Sequence, residues 1–212
     1  MTNLKSLSMA TAGATLIALA IGAAAQAAVL EFDNLTTDPG IQITNGYGGF
    51  NWNNFFVVNR DVIPLSGYNK AAVSGKYSAY NGLAEKASIQ SNSIFDFNGA
   101  FLTGAWNDGL SVLVEGLKNG VSLYSQTVVV DTTSPKWFDF NFLGIDELKF
   151  SSFGGVENPN VSGGRGPHFA MDNFTINEVK SVPEPASTLG FLAFGAMGLG
   201  SILKGKQQKV KA

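Results

Sequence analysis

Few side chains in this 212-residue chain could carry out chemistry, and cysteine is absent altogether. The single histidine, His168, follows Pro167 at the start of an apolar segment, a position that suits packing better than catalysis. The sequence contains no Gly-x-Ser-x-Gly elbow, no phosphate-binding glycine loop and no His-Glu-x-x-His helix. What remains is carboxylates and aromatic rings. Asp139, Asp146 and Glu147 are the candidates for glycoside hydrolysis, which needs one carboxyl to protonate the leaving oxygen and a second to attack or to activate water. They occupy strand or turn contexts with no sign of a cleft, so no catalytic set is assigned. Glu31, Asp33 and Asp172 could converge on a calcium ion, a hard cation that takes oxygen ligands, if the first and last strands pair. The alternative is that these three are solvated strand-face or turn residues. Tyr47, Trp52, Trp106 and Trp137, with Asn53 and Asn107 beside two of them, have the ring faces and amides that bind sugars. The competing use of such rings in a small domain is core packing.

These residues sit in a chain patterned for short strands. Val29 to Asp33 alternates with period two, placing Leu30 and Phe32 on one face. Asp38-Pro39-Gly40 marks a turn before Ile41 to Ile43, and Asn45 to Gly49 reads as a loop before an aromatic strand within Phe50–Val58. Further short strands are expected at Ala71 to Asn81, Ala87 to Gln90, Ile94 to Phe97 and Ala100 to Trp106, the last closing on Asn107-Asp108-Gly109. Ser111 to Leu117 and Val121 to Val130 flank Lys118-Asn119-Gly120, and Asn-Gly is the favoured pair for a type I′ hairpin because both central residues need positive φ. Phe138, Phe140 and Phe142 fall on one face of the next strand, opposite Trp137, Asp139 and Asn141, and Leu148 and Phe150 lie on a further short strand. A glycine-, asparagine- and proline-rich loop is expected from Phe153 to Pro167. In the final segment Phe169 and Met171 are out of phase with Phe174 and Ile176, which predicts a bulge near Asp172-Asn173. Eight to ten short strands with frequent turns read as an all-β antiparallel sandwich.

The two ends are different in kind. Lys5, an apolar run from Met9 to Ala25 and the small residues of Ala25-Gln26-Ala27 make residues 1–27 a signal peptide, so the exported chain begins at Ala28. Ala28 to Lys180 then holds one domain, with nine basic side chains against fifteen acidic ones, a net of minus six. That sign argues against a nucleic-acid partner. Without cysteine, an exported domain depends on packing or bound ions. After Val182-Pro183-Glu184-Pro185 comes an apolar run, Ala186 to Leu203, followed by Lys204, Lys206, Lys209 and Lys211. As a helix, those eighteen residues would measure about 27 Å at ~1.5 Å per residue, close to the ~30 Å hydrocarbon core of a bilayer. The lysines would keep the C-terminus in the cytoplasm.

Pro183, Glu184 and Pro185, the apolar run and the basic tail, in that order, resemble the PEP-CTERM sorting signal of Gram-negative bacteria, here residues 181–212. The resemblance implies an exosortase-type processing enzyme as partner, a transient membrane anchor, and a final place on the cell surface or outside the cell among extracellular polysaccharide. A second resemblance, resting on Phe32-Asp33-Asn34-Leu35 and Met171-Asp172-Asn173-Phe174, is to carbohydrate-binding and galactose-binding-like jelly rolls, in many of which a structural calcium sits near such carboxylates. Together these readings give a non-enzymatic envelope or matrix protein that binds polysaccharide or serves a structural role. A carbohydrate-active hydrolase of the same architecture is the alternative.

Overall fold

The computed structural model describes residues 27–35 and 40–177. The expected signal peptide up to residue 26, the Pro-Glu-Pro motif and the apolar run at 186–203 lie outside the described residues. Among the described residues no helix is long and apolar enough to cross a membrane.

Among the described residues the domain has nine strands, one short α-helix and three single-turn 3-10 helices. The strands are β1 (Ala28–Leu30), β2 (Asn51–Asn53), β3 (Phe55–Asn59), β4 (Tyr77–Asn81) and β5 (Ala87–Gly104). They continue with β6 (Asn107–Lys118), β7 (Val121–Val130), β8 (Lys136–Glu157) and β9 (Phe169–Ile176). The helix α1 spans Tyr68–Ala71. All strand pairs are antiparallel, and the hydrogen-bonded order is β3-β4-β9-β5-β8-β6-β7, with β1 beside β9 and β2 beside β5.

β5 and β8 are long enough to serve two layers. The second half of β5 and the first half of β8 pair within a layer that also holds β9, β4 and β3. Their other halves pair within a layer that also holds β2, β6 and β7. In that order β3 stands four strands from β8, about 19 Å away in a flat sheet at ~4.8 Å per strand. Yet the rings of Phe55 on β3 and Phe150 on β8 are 5.4 Å apart. The sheet therefore folds over on itself, and the two layers enclose one core. Phe97 lies near its centre, stacked on Phe140 at 5.0 Å and on Phe174 at 4.8 Å.

Asparagines in the left-handed region, which they tolerate better than most residues, make the breaks. Asn54 (φ 57) splits the expected strand within Phe50–Val58 into β2 and β3, which belong to different layers. Asn173 (φ 49) makes the predicted bulge, and Asp172 and Thr175 of β9 consequently face Phe101 and Gly99 of β5. The hairpin also forms as expected, with Asn119 at φ 51, Gly120 at φ 76 and Lys118 paired to Val121.

Several expected elements change. Phe32 is buried but not by strand alternation: β1 ends at Leu30, and Phe32 turns inward with φ 63. Ile41 to Ile43 contributes only a single bridge, between Gln42 and Phe56. Ala71 to Asn81 divides between the end of α1 and β4. Three expected short strands merge into β5, whose irregular register between Gln90 and Gly99 supplies the bend that separate strands would have required. Asn107 already belongs to β6, and β8 continues to Glu157, shortening the expected loop.

Phe174→Ala should remove the ring stacked on Phe97 and leave a cavity too enclosed to collapse. A loss of about 3–5 kcal/mol in unfolding free energy is expected in urea denaturation.

Candidate functional site

The condition set for bringing the carboxylates together is met, because β1 pairs with β9 through Ala28–Ile176, Val29–Thr175 and Leu30–Phe174. Asp33 and Asp172 both meet the segment between α1 and β4. Asp172 is 0% exposed. Its Oδ2 accepts the backbone N–H of Val73 at 2.6 Å and of Ser74 at 3.1 Å, and its Oδ1 accepts that of Asn173 at 2.8 Å. Oδ1 of Asp33 accepts the N–H of Lys76 at 2.7 Å and of Tyr77 at 3.1 Å. Gly75 between them has φ 45, and a Cβ there would run into the Asp33 carboxylate. One loop thus turns four N–H groups toward two carboxylates, an anion cradle of the kind that consecutive backbone amides form.

In this clasp Oδ1 of Asp33 and both oxygens of Asp172 already accept N–H groups. A calcium ion would take oxygen ligands, and the loop presents N–H dipoles with their positive ends toward these oxygens. Glu31 is exposed, and among the described residues no three His, Cys, Asp or Glu side chains are grouped to hold a metal. Of the three carboxylates expected to converge, Asp33 and Asp172 meet in a hydrogen-bonded clasp and Glu31 stays outside it. Burial raises the Asp172 carboxyl from its ordinary 3.8 to about 6; the N–H bonds from Ser74, Asn173 and Val73 oppose the shift, and the charge of Asp33 adds to it.

The four aromatic candidates part company. Trp52 is 2% exposed, edge-on to Phe32 and Phe55, and its Nε1–H donates to the Tyr47 carbonyl at 2.9 Å. Trp106 is 4% exposed and belongs to a second apolar cluster with Tyr68 of α1, whose ring meets it edge-on at 5.5 Å. Neither indole offers a face to a ligand, which corrects the expectation for both. For Trp52 the alternation with exposed Asn51 and Asn53 already points inward. For Trp106 the cover comes from α1 and from Gly164, which are distant in sequence. Tyr47 is half-buried; its hydroxyl accepts the Phe32 N–H at 3.2 Å and donates to Asn34 Oδ1 at 3.0 Å. It lines a shallow cavity with Leu30, Glu31, Asp33 and Gly48, and burial raises its pKa.

Trp137 is different. It sits on β8 with its side chain on the outer face of the first layer, since its neighbours in alternation, Phe138 and Phe140, pack toward the core. The indole lies over Gly99, where a Cβ would meet the ring, and packs edge-on to Phe101 at 5.2 Å. Its Nε1–H donates to Asp139 Oδ1 at 2.9 Å, so an exposed carboxylate holds the plane of a half-buried ring.

The hydrolase candidates do not converge. Asp139 faces outward from the first layer and orients Trp137. Asp146 accepts the Asn119 N–H at 2.8 Å and steadies the hairpin. Glu147 faces outward from the second layer, where Gln90 donates to it at 3.0 Å and Lys149 lies 3.5 Å away. His168 is half-buried with Nδ1 3.0 Å from the Asn81 carbonyl, and burial lowers its pKa. Asn53 is exposed on β2, and Asn107 donates to the Gly154 carbonyl at 3.1 Å.

No family model matches the chain, and no curated protein matches it. Among solved structures the chain is similar to TmCBM61, a carbohydrate-binding module solved in complex with β-1,4-galactotriose. The identity is 14% and the TM-score 0.34, over 66% of this chain and 98% of that one.

The raised Asp172 carboxyl sets a pH dependence of known sign. The folded state holds this proton more tightly than the unfolded state, so the group's stabilising contribution is fully present below 3.8 and is lost as pH rises toward about 6. Urea midpoints measured across that window should carry this downward component, and Asp172→Asn, which retains an acceptor but no charge, should remove it.

Proposed function

We propose that this chain is an exported, non-catalytic β-sandwich that binds extracellular polysaccharide and is sorted by its C-terminal Pro-Glu-Pro signal. The observation that carries the binding part is Trp137, laid over Gly99 on an outer sheet face with its N–H held by Asp139. An indole fixed in plane loses little entropy when a sugar ring stacks on it, and the exposed Asp139 beside it can accept bonds from hydroxyls. Tyr47, beside a shallow cavity on another part of the surface, is the secondary contact. The scattered placement of Asp139, Asp146 and Glu147 favours binding over hydrolysis.

In this reading the chain is held in the inner membrane by the run from Ala186 to Leu203, with Lys204 to Lys211 in the cytoplasm, until an exosortase-type enzyme processes it near Pro183-Glu184-Pro185. The domain then resides on the surface or in the surrounding matrix.

Two measurements test the two halves separately. In affinity electrophoresis through the host's own exopolysaccharide, Trp137→Ala should weaken retardation by about tenfold, the usual effect of removing a central aromatic contact. Unchanged mobility of both wild type and variant would remove the binding reading. For sorting, the intact mass of the protein recovered from outside the cell should correspond to a chain that begins at Ala28 and ends near Pro185. A mass that includes the lysine tail would exclude processing.

A further inference from the structure

The outer face around Trp137 continues across β5 to β9, which flanks β5 on its other side. Phe101 of β5 pairs with Trp137 on one side and with Asp172 on the other, while Gly99 pairs with Asp139 and with Thr175. Two steps along β5 thus correspond to three along β9, and the extra residue is the left-handed Asn173. Phe174 beside it is buried in the core, whereas Asn173 is half-buried and meets Ser74 of the clasp.

The Asn173 amide is held from one end only. The Ser74 hydroxyl donates to its Oδ1 at 2.9 Å, and the Ser74 backbone N–H is itself fixed by Oδ2 of the buried Asp172 at 3.1 Å. The other end, Nδ2, carries two N–H donors and has no hydrogen-bond partner among the described residues. Asp139 stands in the complementary state on β8: its Oδ1 takes the Trp137 indole N–H, and its second oxygen remains an open acceptor. Between the two flanks Gly99 contributes no side chain, and the indole lies over it. β8 and β9 are two strand spacings apart, about 10 Å at ~4.8 Å per strand, room for one sugar ring bonded at both edges. A ring face with an acceptor on one flank and a donor on the other is complementary to a pyranose, whose hydroxyls both donate and accept.

We propose that Asn173 is the second polar contact of the Trp137 site, its Nδ2 donating to an oxygen of the same pyranose that stacks on the indole and donates a hydroxyl to Asp139. The inference rests on the sugar-binding reading of Trp137 and deepens it by defining the unit recognised, a single pyranose lying across β5 with a free oxygen at each edge. Asp172 and Ser74 act as positioning residues, since they set the plane of the amide without reaching the sugar.

The test needs substitutions that accept the left-handed backbone at Asn173, and glycine and aspartate both do. In affinity electrophoresis of the full chain through the host's own exopolysaccharide, Asn173→Gly should weaken retardation about three- to tenfold, the worth of one hydrogen bond. Asn173→Asp keeps an oxygen for the Ser74 hydroxyl but has no N–H, so it should lose at least as much. Ser74→Ala frees the amide without removing its donors and should lose less than Asn173→Gly. A purely structural role would leave Asn173→Asp at the affinity of the wild type. If Trp137→Ala weakens retardation while Asn173→Gly and Asn173→Asp migrate as the wild type does, the proposal falls and the sugar-binding reading stands. A wild type that is not retarded at all overturns both. Circular dichroism checks that each variant is folded, and if Asn173→Gly is not, the aspartate variant decides.

Discussion

The pairing of β5 with β8 is the constraint on which everything else depends. These strands run together from Ala87–Phe150 to Leu102–Lys136, with slips between Gln90 and Gly99 that let both bend at the same place. Because both members bend, the hydrogen-bonded ladder continues from one layer into the other. Every other strand attaches to one side of that spine or to a strand already attached. In a domain with no disulfide, this replaces the covalent link that would otherwise tie the two layers together. Its cost is geometric: the bend has to be filled from inside, and the stack of Phe140, Phe97 and Phe174 does so.

The rest of the aromatic inventory follows from that closure. Once the layers face each other, rings that alternate inward have only the shared interior to occupy, which is why Trp52 meets Phe50, Phe55 and Phe174 edge-on rather than facing solvent. Trp137 escapes because it points away from the core and because Gly99, diagonal to it on β5, has no side chain to compete for the same space. The second apolar cluster, beneath α1, forms where the first layer's outer face would otherwise be bare.

What could be read in the sequence was what local spacing determines. The Asn119-Gly120 turn, the phase break at Asn173 and the phenylalanine face of β8 each depend on a few adjacent residues, and each appears where expected. The continuity of β5 was not legible, because Asn92 and Ser93 look like turn residues until β8 is present to receive the bend. The convergence of Asp33 and Asp172 was legible through the pairing of the first and last strands. The use made of them was not, since nothing in residue types says whether a distant loop will turn its N–H or its C=O groups toward a carboxylate. Trp106 was misplaced for the same reason: its cover, Tyr68 and Gly164, is brought in by tertiary structure alone.

The pairing of Ala28 with Ile176 has one more consequence. The first and last residues of the described sandwich stand side by side on neighbouring strands, so the domain enters and leaves through a single doorway. Topologically it is an insertable cassette: a short linker from Asn177 back to Ala28 would close it into a ring without disturbing a strand, and new termini could be opened at the Asn119-Gly120 turn. Anything fused at either end would emerge at the same corner of the fold.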